Sequence, residues 1–172
     1  GFKQMTDMIN MSRLSNGVRA SGMMQRSVQE SIYIANNRTA FKKKLINFPL
    51  MQKQICKMLV ISEASRAIIF HTANILTNAD NGENKFQKLF RVLTPLIKFR
   101  ACRDVRKIAG DAMEVRGGCG YIEEWSDARI LRDSHLGSIW EGTSNIVALD
   151  ALRALKKDDN LEVLKNYLLD IS

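Results

Sequence analysis

The chain has 172 residues, of which 45% are hydrophobic, 26% are charged and two are proline. This length and composition predict one soluble, helix-rich globular domain, and no apolar run reaches the roughly 20 residues that a membrane-spanning helix requires. The net charge of +8 favours an anionic partner, such as a phosphate-bearing cofactor or nucleic acid, although a solvated basic surface is the simpler interpretation.

Two long helices are predicted in the first half of the chain. The first covers about residues 6–36 and the second runs from Pro49 to about Thr77, because apolar or small residues recur every three or four positions. His71 lies beside the second stripe and is interpreted as a structural histidine. The residues expected to face inward are Met11, Leu14, Val18, Ser21, Met24, Val28, Ile32 and Ala35, then Met51, Ile55, Met58, Ile61, Ser65, Ile68, Thr72 and Ile75.

A third long helix is predicted to begin at Thr94-Pro95 and to end near Val115, after a short amphipathic piece around Leu89. Thr suits the N-cap of a helix and Pro suits its first position. The predicted inward residues are Phe99, Cys102, Val105, Ile108, Ala112 and Val115, and the opposite face carries Arg100, Arg103, Arg106 and Lys107. That basic stripe is interpreted as a solvated face, with phosphate binding as the alternative.

Three shorter helices are predicted after the glycine-rich segment 117–120. They cover about residues 126–131, residues 144–155 with Thr143 or Ser144 as cap, and residues 161–169. In the second of these, the residues expected inward are Ile146, Leu149, Leu152 and Leu155. No segment predicts a strand. The chain is therefore expected to form an all-α, up-and-down four-helix bundle with short extra C-terminal helices, as one domain over residues 1–172.

The cysteines and histidines indicate neither a disulfide framework nor a metal site. Cys56, Cys102 and Cys119 are odd in number and lack C-x-x-C spacing, and no histidine has a partner at metal-ligand spacing. A reducing, cytoplasmic compartment is expected. Because the first residue is Gly rather than Met and no signal peptide follows, we expect the sequence to be a fragment of a longer protein.

One stretch of the sequence suggests chemistry. Glu141 directly precedes a Gly-Thr turn, and the glycine-rich segment beginning at Gly117 lies just upstream. A carboxylate beside turns rich in backbone N–H groups suggests a general base next to an anion-binding or cofactor-binding site. On its own this pattern is weak, and without further motifs a surface glutamate near a helix start, where a negative charge is favoured, is the better interpretation.

Four motifs in order resemble one known family. They are Arg38-x-x-Phe41, Gly117-Gly118-x-Gly120-Tyr121, Arg132-Asp133 and Trp140-Glu141-Gly142-Thr143. Together they are similar to the C-terminal helical domain of the acyl-CoA dehydrogenases, which are FAD-dependent oxidoreductases acting on CH–CH groups in fatty acid metabolism. The segments 11–20, 47–51, 112–115 and 138–155 most resemble the AidB-like, alkylation-response branch.

The resemblance implies a role for each matching residue. Glu141 would be the catalytic base that removes the α-proton of an acyl thioester while the β-hydride goes to the flavin, and Arg13 would be an active-site arginine able to pair with it. Withdrawal from water makes such a carboxylate a stronger base. The residues expected to bind FAD are Arg38 at the pyrophosphate of a neighbouring subunit, Phe41 at the adenine end, the turn of Gly117 and Gly118, and Thr143 with Asn145 at the flavin.

Three residues depart from the family pattern. Lys42 stands where Gly is usual, Pro49 replaces a frequent Gln, and Glu114 replaces the Gln that often precedes the Gly-Gly turn. The last two resemble features of the AidB-like branch, whereas Lys42 puts the local loop geometry in question.

The resemblance also implies the partners of this chain. A complete subunit carries an N-terminal helical domain and a middle β domain, binds acyl-CoA, and forms homotetramers. The fragment alone is therefore expected to be inactive and to bind FAD poorly. Two alternatives stay open: a DNA-associated flavoprotein of the alkylation response, and an assembly module in which Glu141 is incidental.

Overall fold

The computed structural model describes residues 1–171, apart from the side chains of residues 2 and 3, and Ser172 of the predicted domain lies outside the described residues. Within this part the chain forms an all-α bundle, which confirms the predicted fold class. Three long helices are followed by three short ones: α1 (Phe2–Asn37), α2 (Pro49–Asp80), α3 (Asn84–Arg116), α4 (Ser126–Leu136), α5 (Ser144–Lys156) and α6 (Asn160–Asp170). Two 3₁₀ turns cover Leu45–Asn47 and Gly117–Tyr121.

Helix α3 is the centre of the bundle because it packs against each of the other five α-helices. Its buried stripe meets the apolar stripes of α1 and α2 in one core. From α3 this core contains Ile97, Ala101, Cys102, Val105, Ile108 and Ala112; from α1 and α2 it contains Leu14, Ala20, Met24, Val28, Met58 and Ile69. The helical periodicity selected eight of these twelve residues, and it missed Ala20, Ile69, Ile97 and Ala101.

The predicted start of the third helix at Thr94-Pro95 is wrong, because α3 begins at Asn84 and contains Pro95. A proline inside a helix costs roughly 3 kcal/mol. Leu89, Val92 and Leu93 are buried on the turn before it, and each such burial contributes about 1.5–3 kcal/mol. The summed burial exceeds the cost of the proline, so the helix continues through it. The Thr94 hydroxyl donates to the Phe90 carbonyl instead of capping a helix.

The inward face predicted for α5 is also wrong. Ile146, Leu149 and Leu152 are about half exposed, and the buried residues are Val147, Ala151 and Ala154. Small side chains let the α5 backbone approach α3 closely, so the larger apolar residues of the neighbouring face are left outside. Three further residues predicted to face inward on α1 and α2 are exposed for at least two fifths of their surface: Met11, Val18 and Ile68.

A short hairpin lies where no strand was predicted. Thr39–Ala40 (β1) pairs antiparallel with Lys43–Lys44 (β2), and the two turn residues Phe41 and Lys42 have φ of 50° and 63°. Positive φ at both central residues is the signature of a type I′ turn, which fits the twist of a hairpin and favours glycine. Lys42 therefore carries backbone strain of roughly 1 kcal/mol or more, at the position where the family usually has Gly.

Helix α6 closes one end of the bundle. Its Val163, Leu164 and Tyr167 pack on a small cluster formed by α2 and α3. The Tyr167 hydroxyl lies 2.8 Å from Nε2 of His71, which confirms the structural interpretation of that histidine. None of the described helices is both long enough and apolar enough to cross a lipid bilayer.

The glycine turn after α3 gives a stability prediction with a built-in control. A Cβ added at Gly120 would lie 2.5 Å from the Met113 carbonyl oxygen, whereas one added at Gly118 would meet nothing within 4 Å. We expect Gly120→Ala to lower the free energy of unfolding by roughly 1–3 kcal/mol, as overpacking does. Gly118→Ala should leave it nearly unchanged. Denaturant unfolding of both variants checks this, and equal midpoints would contradict it.

Candidate functional site

Glu141 lies in a left-handed turn between α4 and α5. Its φ is 55° and that of Gly142 is 101°, and a non-glycine residue in this conformation is uncommon and concentrated at functional sites. The Ser12 hydroxyl of α1 donates to Oε1 of Glu141 at 3.0 Å. A Cβ at Gly142 would come within 3.1 Å of the Ile146 side chain. The turn thus needs glycine at its second position and presents a partly buried carboxylate at the first.

Lys98 of α3 supports the same turn from inside the bundle. Its side chain is 1% exposed, and its Nζ donates to the Gly142 carbonyl oxygen at 2.5 Å. Burial lowers the pKa of Lys98 below its ordinary value; the charges of Cys102 and Glu141 act against this shift, and that of Arg13 adds to it. The sequence analysis missed Lys98. The available signal was a cation on the buried row of α3, four residues before Cys102.

The structure places Arg13 against Asp150 of α5 rather than against Glu141. Arg13 is buried and forms an ion pair with Asp150, which also accepts a hydrogen bond from Arg91 of α3 at 2.7 Å. Burial alone would raise the pKa of Asp150, but hydrogen bonds from Arg91 and Arg13 outweigh it and hold the pKa below its ordinary value. The pairing of Arg13 with the base, which the resemblance implied, is absent among the described contacts.

Thr143 and Asn145 lie at the start of α5, beside Glu141. Thr143 occupies the N-cap position, yet among the described residues its hydroxyl makes no capping hydrogen bond. Both side chains line an open cavity of about 340 Å³. The other lining residues are Arg106, His135, Ser138, Ile139 and Ser144. A helix start with an uncommitted hydroxyl, an amide and a nearby guanidinium can bind a polar or anionic group.

Arg38 and the glycine turn, which the resemblance assigned to FAD, are in contact. The Arg38 guanidinium donates to the Arg116 carbonyl at 2.7 Å. Gly117 has a φ of 75°, and a Cβ there would lie 2.7 Å from Nη1 of Arg38. Only glycine therefore lets the arginine approach this turn. Nothing lies within 4 Å of a Cβ built at Gly118, so its backbone is open to a ligand.

Arg116 fixes the end of α3 beneath this turn. It is buried and forms ion pairs with Glu30 at 2.8 Å and with Asp127 at 2.5 Å, and its guanidinium stacks on Trp125 at 4.7 Å. A buried arginine with two carboxylate partners holds its helix end rigidly. The carbonyl that receives Arg38 is consequently well anchored.

Phe41 stands out from the hairpin with 91% of its surface exposed. Its ring contact is an edge-on approach to Phe48 with centroids 6.5 Å apart. Phe41 is therefore not part of the hydrophobic core. Among the described residues, no group stacks on the face of the Phe41 ring, so the face is accessible to a stacking partner.

The predicted site residues form two groups at opposite ends of α1. One group contains Glu141, Thr143 and Asn145 near Ser12, and the other contains Arg38, Phe41, Gly117 and Gly118 beyond Asn37. At 1.5 Å per residue, Ser12 and Asn37 are about 38 Å apart along the helix. Arg13 belongs to the first end of α1 through its pair with Asp150.

The basic stripe of α3 is largely paired within its own helix. Arg100 binds Asp104 at 2.7 Å and Lys107 binds Asp111 at 3.2 Å. Arg103 lies over the ring of Phe99. This arrangement fits the solvated-face interpretation for these residues, whereas Arg106 turns to the cavity beside α5.

Trp140 and Ile139, the two apolar residues directly before Glu141, are more than half exposed. The Arg19 guanidinium lies 5.5 Å from the Trp140 ring centroid. Within this chain the two residues form a surface beside Glu141 rather than an enclosure.

Comparison with known proteins gives a family match over most of the chain. Residues 1–156 match the family model described as acyl-CoA dehydrogenase, C-terminal domain. The chain is 36% identical over 158 residues to the putative acyl-CoA dehydrogenase AidB of Escherichia coli K12, covering 91% of this chain and 29% of that protein. The chain thus spans less than a third of that relative's length.

Two solved structures superpose closely on the chain. The apo form of Bd2924 has a TM-score of 0.94 at 33% identity, covering 98% of this chain and 34% of that one. Caenorhabditis elegans ACDH-11 in complex with C11-CoA has a TM-score of 0.95 at 26% identity, covering 99% of this chain and 29% of that one. These similarities confirm the recognised family and the similarity to AidB.

The Asp150 pair gives a pH prediction. Since the folded-state pKa lies below the ordinary value of 3.8, the pair contributes stability that is fully present above that value and is lost as pH falls through the folded-state pKa. Asp150→Asn should cost about 2–3 kcal/mol at neutral pH, somewhat less than breaking a fully buried pair.

Acid unfolding followed by circular dichroism checks this. The Asp150→Asn variant should show a shallower loss of stability below pH 4 than the parent. Asp170→Asn, which removes an exposed pair with Lys85, is the matched control and should change little. The same acid dependence in the Asp150 variant as in the parent would refute the role of this pair.

Proposed function

This chain belongs to the acyl-CoA dehydrogenase family as its C-terminal helical domain, and we propose that in the complete protein it supplies the base of an FAD-dependent dehydrogenation of an acyl-CoA thioester. The observation that carries the proposal is the Glu141 turn. A carboxylate in a left-handed, hydrogen-bonded turn at a helix start, in register with the family motifs, is held for a purpose other than folding.

Glu141 would take the α-proton of the thioester. The Ser12 hydroxyl holds one carboxylate oxygen, which limits rotation of the side chain. The Lys98 ammonium group holds the Gly142 carbonyl of the same turn. When FAD is bound, it supplies the acceptor for the hydride that leaves the β-carbon. Binding of C11-CoA by ACDH-11 supports an acyl-CoA substrate for this chain as well.

The residues of the second group fit an FAD molecule. Arg38 offers a planar cation suited to a pyrophosphate, the bare backbone at Gly118 allows close approach, and Phe41 offers an exposed ring for the adenine. At the first group, the Thr143 hydroxyl and the Asn145 amide are available for the flavin end.

The separation of the two groups supports a homo-oligomer, for which we propose the tetramer implied by the family. A distance of about 38 Å along α1 is too great for both groups to hold one dinucleotide in one subunit. Arg38 and Phe41 would then serve the FAD of a neighbouring copy. The exposed apolar faces of α1 and α5 are available for such contacts and for the other domains of the subunit.

The chain by itself is proposed to be inactive and to bind FAD poorly. It carries a base and parts of two cofactor contacts, while the chain spans 29% of the relative from E. coli. The dehydrogenase activity is therefore proposed for the complete protein.

Glu141→Gln tests the base. In the complete, FAD-loaded protein, mixed anaerobically with acyl-CoA, we expect flavin bleaching to slow by about 10²–10⁴-fold, because the amide cannot accept the α-proton. Stopped-flow absorbance measures this. Glu124→Gln, at an exposed glutamate of the loop before α4, is the matched control and should bleach normally. Normal bleaching in the Glu141 variant would remove Glu141 as the base.

Phe41→Ala tests the cofactor contact. Because the side chain is 91% exposed, truncation should change the stability of the chain little. Loss of a base-stacking partner should nevertheless weaken FAD binding by the complete protein by about 5- to 100-fold. Flavin fluorescence titration measures it, and Tyr33→Ala, also on an exposed aromatic near this end of α1, is the control. Equal FAD affinity in both variants would contradict the assignment.

A further inference from the structure

We propose that Lys98 is a positioning residue for the base: its buried ammonium group holds the Glu141–Gly142 turn so that the Glu141 carboxylate keeps its place. The proposal rests on the proposed role of Glu141. Lys98 acts through the backbone of the turn and does not touch the reacting atoms.

The geometry places Lys98 directly under the turn. Its Nζ is 2.5 Å from the Gly142 carbonyl oxygen, which belongs to the peptide group following the strained pair Glu141 and Gly142. Among the described hydrogen bonds, residues 141 and 142 receive one from Lys98 and one from Ser12. Two donors from two different helices thus fix a turn whose backbone conformation is unfavourable for glutamate.

Stability does not account for a lysine at this position. The side chain is 1% exposed, and the ammonium group has three donors but one described acceptor. Burying a cation with incomplete pairing is unfavourable for folding. An apolar residue on this row of α3 would pack in the core without that penalty. The cost is therefore explained by what the cation does at the turn.

The groups around Lys98 show which cation holds the turn. The groups facing it are Cys102 on its own helix, Arg13 from α1 and Glu141 from the turn. Arg13 is already paired with Asp150. Of these two cations, Lys98 is the one that bonds to the backbone of the turn.

The first test uses Lys98→Met in the complete, FAD-loaded protein, with Lys107→Met as the matched control on the same helix, where the lysine is exposed and paired only with Asp111. In Lys98→Met the rate constant of flavin bleaching by acyl-CoA should fall about 10- to 100-fold, because the base is displaced. The half-saturating acyl-CoA concentration should stay within about twofold.

The split between rate and half-saturation separates positioning from a general structural role. The rate constant should fall in Lys98→Met without a matching change in the half-saturating concentration, while Lys107→Met should keep both of the parent's values. Thermal unfolding of Lys98→Met should occur at or above the parent's midpoint, since a buried charge is removed. A parent-like rate, or a lowered midpoint that marks Lys98 as a residue needed for stability, would overturn the proposal.

Hydrogen exchange followed by mass spectrometry tests the turn without any catalysis. Peptides covering residues 141–147 should exchange at least about tenfold faster in Lys98→Met than in Lys107→Met. Unchanged exchange would refute the proposal for Lys98 whatever the kinetics. If Glu141→Gln bleaches like the parent, the proposed function fails, and the exchange result still decides whether Lys98 holds the turn.

Discussion

The enclosure of α3 is the constraint on which the rest of the structure depends. Five other helices pack on it, so the polar side chains on its buried faces must find partners inside the protein. Lys98 meets the Gly142 carbonyl, Arg91 meets Asp150, and Arg116 meets Glu30 and Asp127. The bonds to Gly142, Asp150 and Asp127 each tie a loop or a short helix to the core. The short helices are thereby held in register with the candidate site.

The length of α1 has the next largest consequence. One continuous helix separates the Glu141 turn from the Arg38 hairpin by about 38 Å. Both ends are linked to α3. At the first end, Asp150 binds both Arg13 of α1 and Arg91 of α3, and at the second end, Arg38 binds the carbonyl of Arg116. A rigid spacer of this kind fixes the distance between the two groups. In a homo-oligomer, copies of the bundle would present these groups to one another at a fixed distance. A flexible loop of the same length would not fix that distance.

The sequence predicted the helices well where one apolar stripe faces one core, because periodicity reports burial directly. It failed at Pro95, where tertiary burial outweighs a local break, and on α5, where small residues face the core and larger ones do not. The motifs singled out Glu141, Arg38 and Gly117, but they did not predict the contact between Arg38 and Gly117. They did not reveal the pairing of Arg13 with Asp150 or the place of Lys98 under the turn, since both depend on contacts between residues more than 40 positions apart.

Backbone strain in this chain is concentrated at the proposed site. Within residues 1–171, the non-glycine residues with positive φ are Phe41, Lys42, Glu141 and Asp158. Phe41 and Glu141 belong to the two groups assigned to cofactor or catalysis, and Lys42 is the neighbour of Phe41 in the hairpin turn. Such conformations cost roughly 1–3 kcal/mol each and persist only where neighbouring structure enforces them. For Glu141 the enforcing contacts are Ser12 and Lys98. A glycine at that position would relieve the strain, but it would remove the carboxylate, so the bundle must hold glutamate in a conformation that glycine prefers.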